Sequence, residues 1–381
     1  MSLAKSKVWN YTSASGLFIV AYHVGLLIGL PIYFYFVTPS WGIVVASVAL
    51  LFVTELGITG AYHRFYSHRS YDLSRPPEIV LLFLGTLALQ GSVLQWSYEH
   101  RKHHALVDTD EDPYSIKKGF WYAHVLWLFK KSRPIDEKWV TDLLQNKVVV
   151  FQHRYFGFLG IGGNILVFLL LGWLLNDFLG AFVLVWWTRL LISHHFTWFI
   201  NSLAHYWGSQ TFSKEHSAVD NFVIAFLTVG EGYHNYHHTF ASDYRNGVRW
   251  YHFDPAKWMI WTLDKLGLAA NLKRYDRYTI RKRLLAEDRR VLLEAVKQVA
   301  NSRKLELEQK IVQLSEAIRE KLNRVHALAN EVKKLRLGRV ERARIRASLV
   351  ELKGLKQSLR RDWRSWSRLH GAVLAPGASA A

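Results

Sequence analysis

The chain has no cysteine and only two methionines in 381 residues. Without thiols there is no disulfide framework, no thiolate metal site and no cysteine-held iron–sulfur cluster. No GxGxxG fingerprint and no HPGG-type haem-binding segment occurs, so any redox chemistry belongs to a metal or bound cofactor and draws its electrons from a separate protein. Acidic residues are scarce too: 30 Asp and Glu face 49 Lys and Arg, a formal net charge of +19. The imbalance is local. Lys273 to Arg368 holds 28 basic residues against 12 acidic ones, an excess of 16. The near-zero mean hydropathy therefore averages an apolar first two thirds with a charged last third.

Histidine is abundant: of 18 residues, eight fall in three tight clusters. They are HRFYSH at His63–His68, HRKHH at His100–His104, and HNYHH at His234–His238. In HxxHH the offsets of three and four put the side chains on one helix face. HxxxxH is looser, because an offset of five is about 140° away on an α-helix; one of His63 and His68 is expected where a helix ends. Imidazole suits iron, zinc, copper and nickel. Eight clustered histidines are too many for one ion and enough for two.

Four segments have the length and apolar content of membrane-spanning helices: Gly16–Val37, Trp41–Tyr62, Phe156–Leu175 and Phe178–Phe199. The first is read as a membrane helix, not a cleaved signal. Short turns without Lys or Arg, Thr38-Pro39-Ser40 and Asn176-Asp177, join them into two hairpins. Lys5, Lys7, Arg64, Arg69, Lys130 and Lys131 flank the opposite ends, which places the termini and all three clusters on the cytoplasmic side. A fifth apolar run, Ile79–Gln95, is expected to lie in the interface or re-enter it, since a crossing would part the first cluster from the second. The expected architecture is all-α and integral to the membrane: four transmembrane helices in two hairpins, interfacial helices, a cytoplasmic helical cap, and a basic, coiled-coil-like helical extension. The domains are 1–275 (membrane), 276–373 (basic helical extension, two helices folding back near Gly338) and 374–381 (a disordered tail).

The clusters, their order, and the runs NSLAH at Asn201–His205, HHALVDTDEDPYS at His103–Ser115 and GEGYHNYHHTFASDYRNG at Gly230–Gly247 resemble the membrane fatty acyl desaturases, above all the stearoyl-CoA (Δ9) type. The resemblance covers roughly Val8 to Lys273. It implies an oxygen-dependent desaturase that inserts a cis double bond into a long-chain acyl group at a di-iron centre. It implies nine ligands: His63, His68, His100, His103, His104, His205, His234, His237 and His238. Asn201 would hold a metal-bound water, and Asp108 and Glu231 would accept hydrogen bonds from ligand imidazoles. His194 and His195 are either such partners or satisfied interior groups. Gln90, Trp96, Thr197 and Trp198 match the kink of a substrate tunnel, and Lys130 and Lys131 the head-group end. Tyr98 stands where the animal enzymes carry a basic residue. That leaves acyl-CoA as the first substrate, with chains on phospholipid or a carrier protein as alternatives. A hydroxylase or ketolase of the same superfamily shares the metals. The implied cofactors are two iron ions with O2 as co-substrate, zinc being a ready replacement in purified protein. The implied partners are a ferredoxin or b-type cytochrome with its reductase, and anionic membrane lipid; nucleic acid is not expected. The lack of cysteine and of a fused cytochrome points to a bacterial inner membrane.

Overall fold

A computed structural model describes residues 11–130, 134–297, 301–337 and 342–374. The chain divides into two compact units, Met1–Thr211 with Glu215–Arg274, and Phe212–Lys214 with Tyr275–Ala381. In the first unit three helices are long and apolar enough to cross a membrane: Gly16–Phe36, Trp41–Ser67 and Lys147–Leu174. They leave large apolar side chains such as Leu27, Trp41, Phe158 and Trp173 exposed, as lipid-facing positions do. The expected fourth span is helical from Phe178 to Asn201. It contains Arg189, His194 and His195 and is not among these three.

A buried polar seam holds the apolar helices in place. Arg189 donates to Asn164 Oδ1, to Thr54 Oγ1 and to the Leu87 carbonyl, and Ser193 donates to Glu55 at 2.5 Å. Asn164 Nδ2 donates to the same carbonyl at 3.1 Å. Polar groups at this depth must be satisfied internally. Here they also serve the free carbonyl of a broken helix. The run Ile79–Gln95 is not one helix: Arg75–Thr86 ends, a turn follows, and Val93–Leu106 begins. Twelve residues of helix rise about 18 Å, too short for a hydrocarbon core of about 30 Å. Gln152, on the Lys147–Leu174 helix, pins the break by donating to Tyr62 and Thr86 and accepting from Val93 N.

The second unit has three helices, Arg277–Val296, Asn301–Leu337 and Arg342–Leu374, where the sequence suggested two. The missed one is the first, Arg277–Val296. Buried positions recur every seven residues: Tyr278, Leu285 and Leu292; Ile311, Ile318, Val325 and Val332; Leu352, Leu359, Trp366 and Val373. This is the heptad spacing that seats side chains in a coiled-coil seam. Leu374 closes the last helix; Gly338 and residues 375–381 lie outside the described residues. Ile318→Ala removes a fully buried seam residue and is expected to cost about 2–5 kcal/mol. Chemical unfolding of the extension, read by protease sensitivity, checks this against Gln309→Ala on the exposed face, expected within about 0.5 kcal/mol of the parent.

Candidate metal centre

The nine histidines gather into two groups. His63, His68, His100, His104 and His237 form one, and His103, His205, His234 and His238 the other, each with its ligand atoms within 4.8 Å of one another. The two HxxHH clusters sit on the helices Val93–Leu106 and His234–Thr239, as their spacing requires. The first cluster works differently. Gly57–Ser67 winds as a π-helix, and His68 N bonds His63 O at 3.1 Å. An i→i+5 bond stacks residues five apart, so the winding brings together two side chains that an α-helix would splay.

The nitrogens that face one another are all Nε2. His63 and His237 meet at 2.9 Å, His68 and His100 at 2.8 Å, His104 and His237 at 3.0 Å, His205 and His234 at 3.1 Å, and His234 and His238 at 3.1 Å. His103 Nε2 is buried with no hydrogen-bond partner among the described residues. Burial first, and then the neighbouring imidazoles, hold His68, His100, His104, His205, His234, His237 and His238 well below the usual histidine range. These rings are neutral, with lone pairs to offer. A donor set of this kind fits a borderline cation such as iron or zinc.

Groups behind the rings fix which nitrogen is bare. A carboxylate only accepts, so His103 Nδ1–H donates to Asp112 Oδ1 at 2.9 Å and leaves Nε2 without a proton. Asp108 does not touch an imidazole, contrary to expectation. Its carboxylate accepts from Ser217 Oγ at 2.6 Å, and Ser217 Oγ lies 2.7 Å from His205 Nδ1. The hydroxyl proton is committed to Asp108, so His205 Nδ1–H donates to Ser217 and Asp108 orients His205 at one remove. Asp108 ends up there because it stands just past the helix end, with φ 64°. Glu231 Oε2 lies 2.9 Å from His63 Nδ1. Arg64 and Asn246 also bond it, at 3.0 and 2.6 Å. Burial pushes Glu231 up, but His63 and Arg64 outweigh it and hold the carboxyl below its usual range. Two close approaches surround Glu231. A Cβ on Gly232 would lie 2.1 Å from Ala225 N, and Gly230, at φ 108°, packs on Asp254.

A cavity of about 680 Å³ opens on both groups through His63, His100, His103 and His234. Gln90, Trp96, Thr197, Trp198 and Asn201 all line it. Gln90 Nε2 donates to Thr197 Oγ1 at 2.8 Å, and Trp96 stacks on His100 with centroids 4.9 Å apart. Asn201 makes no side-chain hydrogen bond among the described residues, so its amide faces the cavity unspent. Lys130 reaches the lining and sits 4.6 Å over Tyr122; Lys131 lies outside the described residues. His194 is a satisfied interior group, bonded to Tyr22 and to the Ala88 carbonyl. His195 is bonded to His23 and His124. Sequence reasoning missed Asp112 and Ser217. The offset of nine from His103 to Asp112 carries no periodic signal; a loop closes it.

This is the site of a membrane protein built around histidine, and the comparisons name its class. The fatty acid desaturase family model matches residues 39–271, and the chain belongs to that family. A probable acyl-CoA desaturase of Schizosaccharomyces pombe is 42% identical over 71% of this chain and 58% of its own length. Acyl-CoA desaturase 1 of Saccharomyces cerevisiae is 36% identical over 64% of this chain and 48% of its own. The chain thus spans about half the length of these two relatives. The sn-1 stearoyl-lipid 9-desaturase of Anabaena variabilis is 34% identical over 73% of this chain and 99% of its own length.

Removing the Asp112 carboxylate is expected to weaken metal retention about 10–100-fold. Competition of added Fe2+ or Zn2+ with a chelator on purified Asp112→Ala measures it. Asp110→Ala, an exposed neighbour, is expected to match the parent; equal losses in both would remove the Asp112–His103 contact from the site.

Proposed function

We propose that this chain is an oxygen-dependent acyl desaturase that inserts a cis double bond, at the ninth carbon, into a long-chain acyl group carried on CoA. One observation carries the reading: two groups of histidines open onto a single cavity whose lining includes Phe18, Ile19, Ile58 and Ile161 as well as Lys102 and Lys118. Such a lining suits a molecule with a greasy chain and an anionic head. The printed names of the yeast relatives support an acyl-CoA substrate.

In this reading His63, His68, His100, His104 and His237 hold one iron, and His103, His205, His234 and His238 the other. When bound, the two ions supply the oxidising power that no side chain has for an unactivated methylene. Two C–H bonds break and one C=C bond forms; O2 becomes two waters, using the two substrate hydrogens with two electrons and two protons from a separate donor. The protein's part is positioning. Gln90 and Thr197, tied to each other, and Trp96, stacked on His100, bend the chain beside the histidines. Trp198 closes the wall, and Asn201 offers its amide to a water. Lys130 and Lys131 meet the head-group phosphates. Glu231, Asp112, and Asp108 through Ser217 hold the rings in register.

The same reading makes Phe178–Phe199 a fourth span, its polar residues facing the seam formed by Glu55 and Asn164, and pairs the spans as two hairpins with the histidines on the cytoplasmic side. Most of the relatives come from eukaryotes, among them yeasts, mammals and a nematode, and the bacterial inner membrane is not supported. A ferredoxin or b-type cytochrome with its reductase supplies the electrons. On the last helix Arg342, Arg346, Lys353, Arg360 and Arg364 are exposed along one face, a ridge suited to anionic lipid at about 1 kcal/mol per residue.

A second substrate form is favoured by the cyanobacterial relative, whose name specifies a lipid-linked chain and whose whole length is matched. The test is the fatty-acid profile of a host expressing the chain with a ferredoxin and its reductase, beside His100→Ala. A new cis monoene in the parent alone is expected, with its position set by mass spectrometry. Hydroxy acids instead would replace desaturation by hydroxylation. Labelled acyl-CoA and labelled phospholipid supplied to membranes separate the two carriers.

A further inference from the structure

Ser92 caps the helix that carries the second histidine cluster. Its Oγ accepts from Gln95 N at 3.3 Å and lies 2.6 Å from Nδ1 of His153, on the Lys147–Leu174 helix. A backbone N–H can only donate, so the Ser92 hydroxyl proton remains to be given, and His153 Nδ1 is the acceptor in reach. A neutral imidazole that accepts at Nδ1 carries its proton on Nε2. His153 lines the cavity, and no hydrogen bond forms at its Nε2 among the described residues. The neighbouring polar side chains are engaged: Gln90 Nε2 donates to Thr197 and Gln95 Nε2 to Glu99. His153 thus shows the cavity a neutral N–H donor whose direction is fixed by a capping serine.

Ser92 lies eight residues before His100, roughly 12 Å along the helix. A group bound at His153 is therefore not the carbon at the histidine groups. A phosphate calls for cations, which Lys102, Lys118 and Lys130 supply elsewhere in the lining. A single neutral donor calls for a neutral acceptor, and an activated or esterified acyl chain carries one at a fixed distance from its mid-chain methylenes: the carbonyl oxygen. We infer that His153 Nε2–H holds the acyl carbonyl and so sets which methylene reaches the histidines. His153 is a positioning residue, and the inference rests on the desaturase reading.

The first test needs no turnover. Binding of stearoyl-CoA to the purified full chain is compared with binding of the S-octadecyl thioether, which lacks only the carbonyl. A parallel pair, an ester phospholipid and its ether analogue, covers a lipid-linked carrier. The parent is expected to prefer the carbonyl form about five- to tenfold. His153→Phe is expected to lose that preference, and His153→Gln, which keeps an N–H donor, to retain it. In membranes His153→Phe is expected to raise KM more than it lowers kcat and to spread the double bond onto adjacent carbons. A parent that binds both members of a pair equally overturns the role of His153 and leaves the desaturase reading standing. A parent that binds neither pair overturns both.

Discussion

Lone pairs aimed at one another repel, and rings at 2.8–3.1 Å with Nε2 facing Nε2 are held together by everything around them. A cation placed between such nitrogens would turn that repulsion into attraction. Much of the first unit reads as the means of placing nine such rings. The π-helical turn brings His63 and His68 edge to face, ring centroids 4.8 Å apart. The break at Leu87–Ser92 lets a new helix start beneath His100, His103 and His104. Gly230 and Gly232 let the third cluster close against the rest.

Ring placement alone is insufficient, because a histidine can present either nitrogen. The carboxylates settle that choice. Asp112 binds His103 directly, Glu231 faces His63, and Asp108 reaches His205 through a serine hydroxyl. Glu231 is itself held by Arg64, which also pairs with Asp254 at 2.9 Å, and Asp254 caps the helix Pro255–Lys265. Breaking one buried member of such a set strands the others, which is why its loss costs more than one contact. The same network that orients the rings thereby fixes the loop after the third cluster.

In the membrane the polar seam has the opposite constraint. Arg189, Asn164 and Glu55 are costly in an apolar medium, yet Arg189 and Asn164 satisfy the carbonyl left bare where the helix Arg75–Thr86 ends, and Glu55 accepts from Ser193. The break supplies both the cavity wall at Gln90 and the cap at Ser92. The cavity and the helix interface are therefore one arrangement.

The sequence by itself determined the three clusters, the apolar runs, the basic extension and the one-faced geometry of HxxHH, because composition and the α-helical period are local properties. It placed Gln90, Trp96, Thr197 and Trp198 together only through resemblance. It misjudged Asp108, passed over Asp112 and Ser217, and missed the helix Arg277–Val296. Only the tertiary structure decided which five and which four rings share a pocket, which nitrogen each presents, and that His153 faces the cavity. Those outcomes hang on loop closures between residues far apart in the chain, such as Ser217 with Asp108 and Ser92 with His153, and on a π turn that breaks the α-helical period. No local period encodes a contact made by a loop.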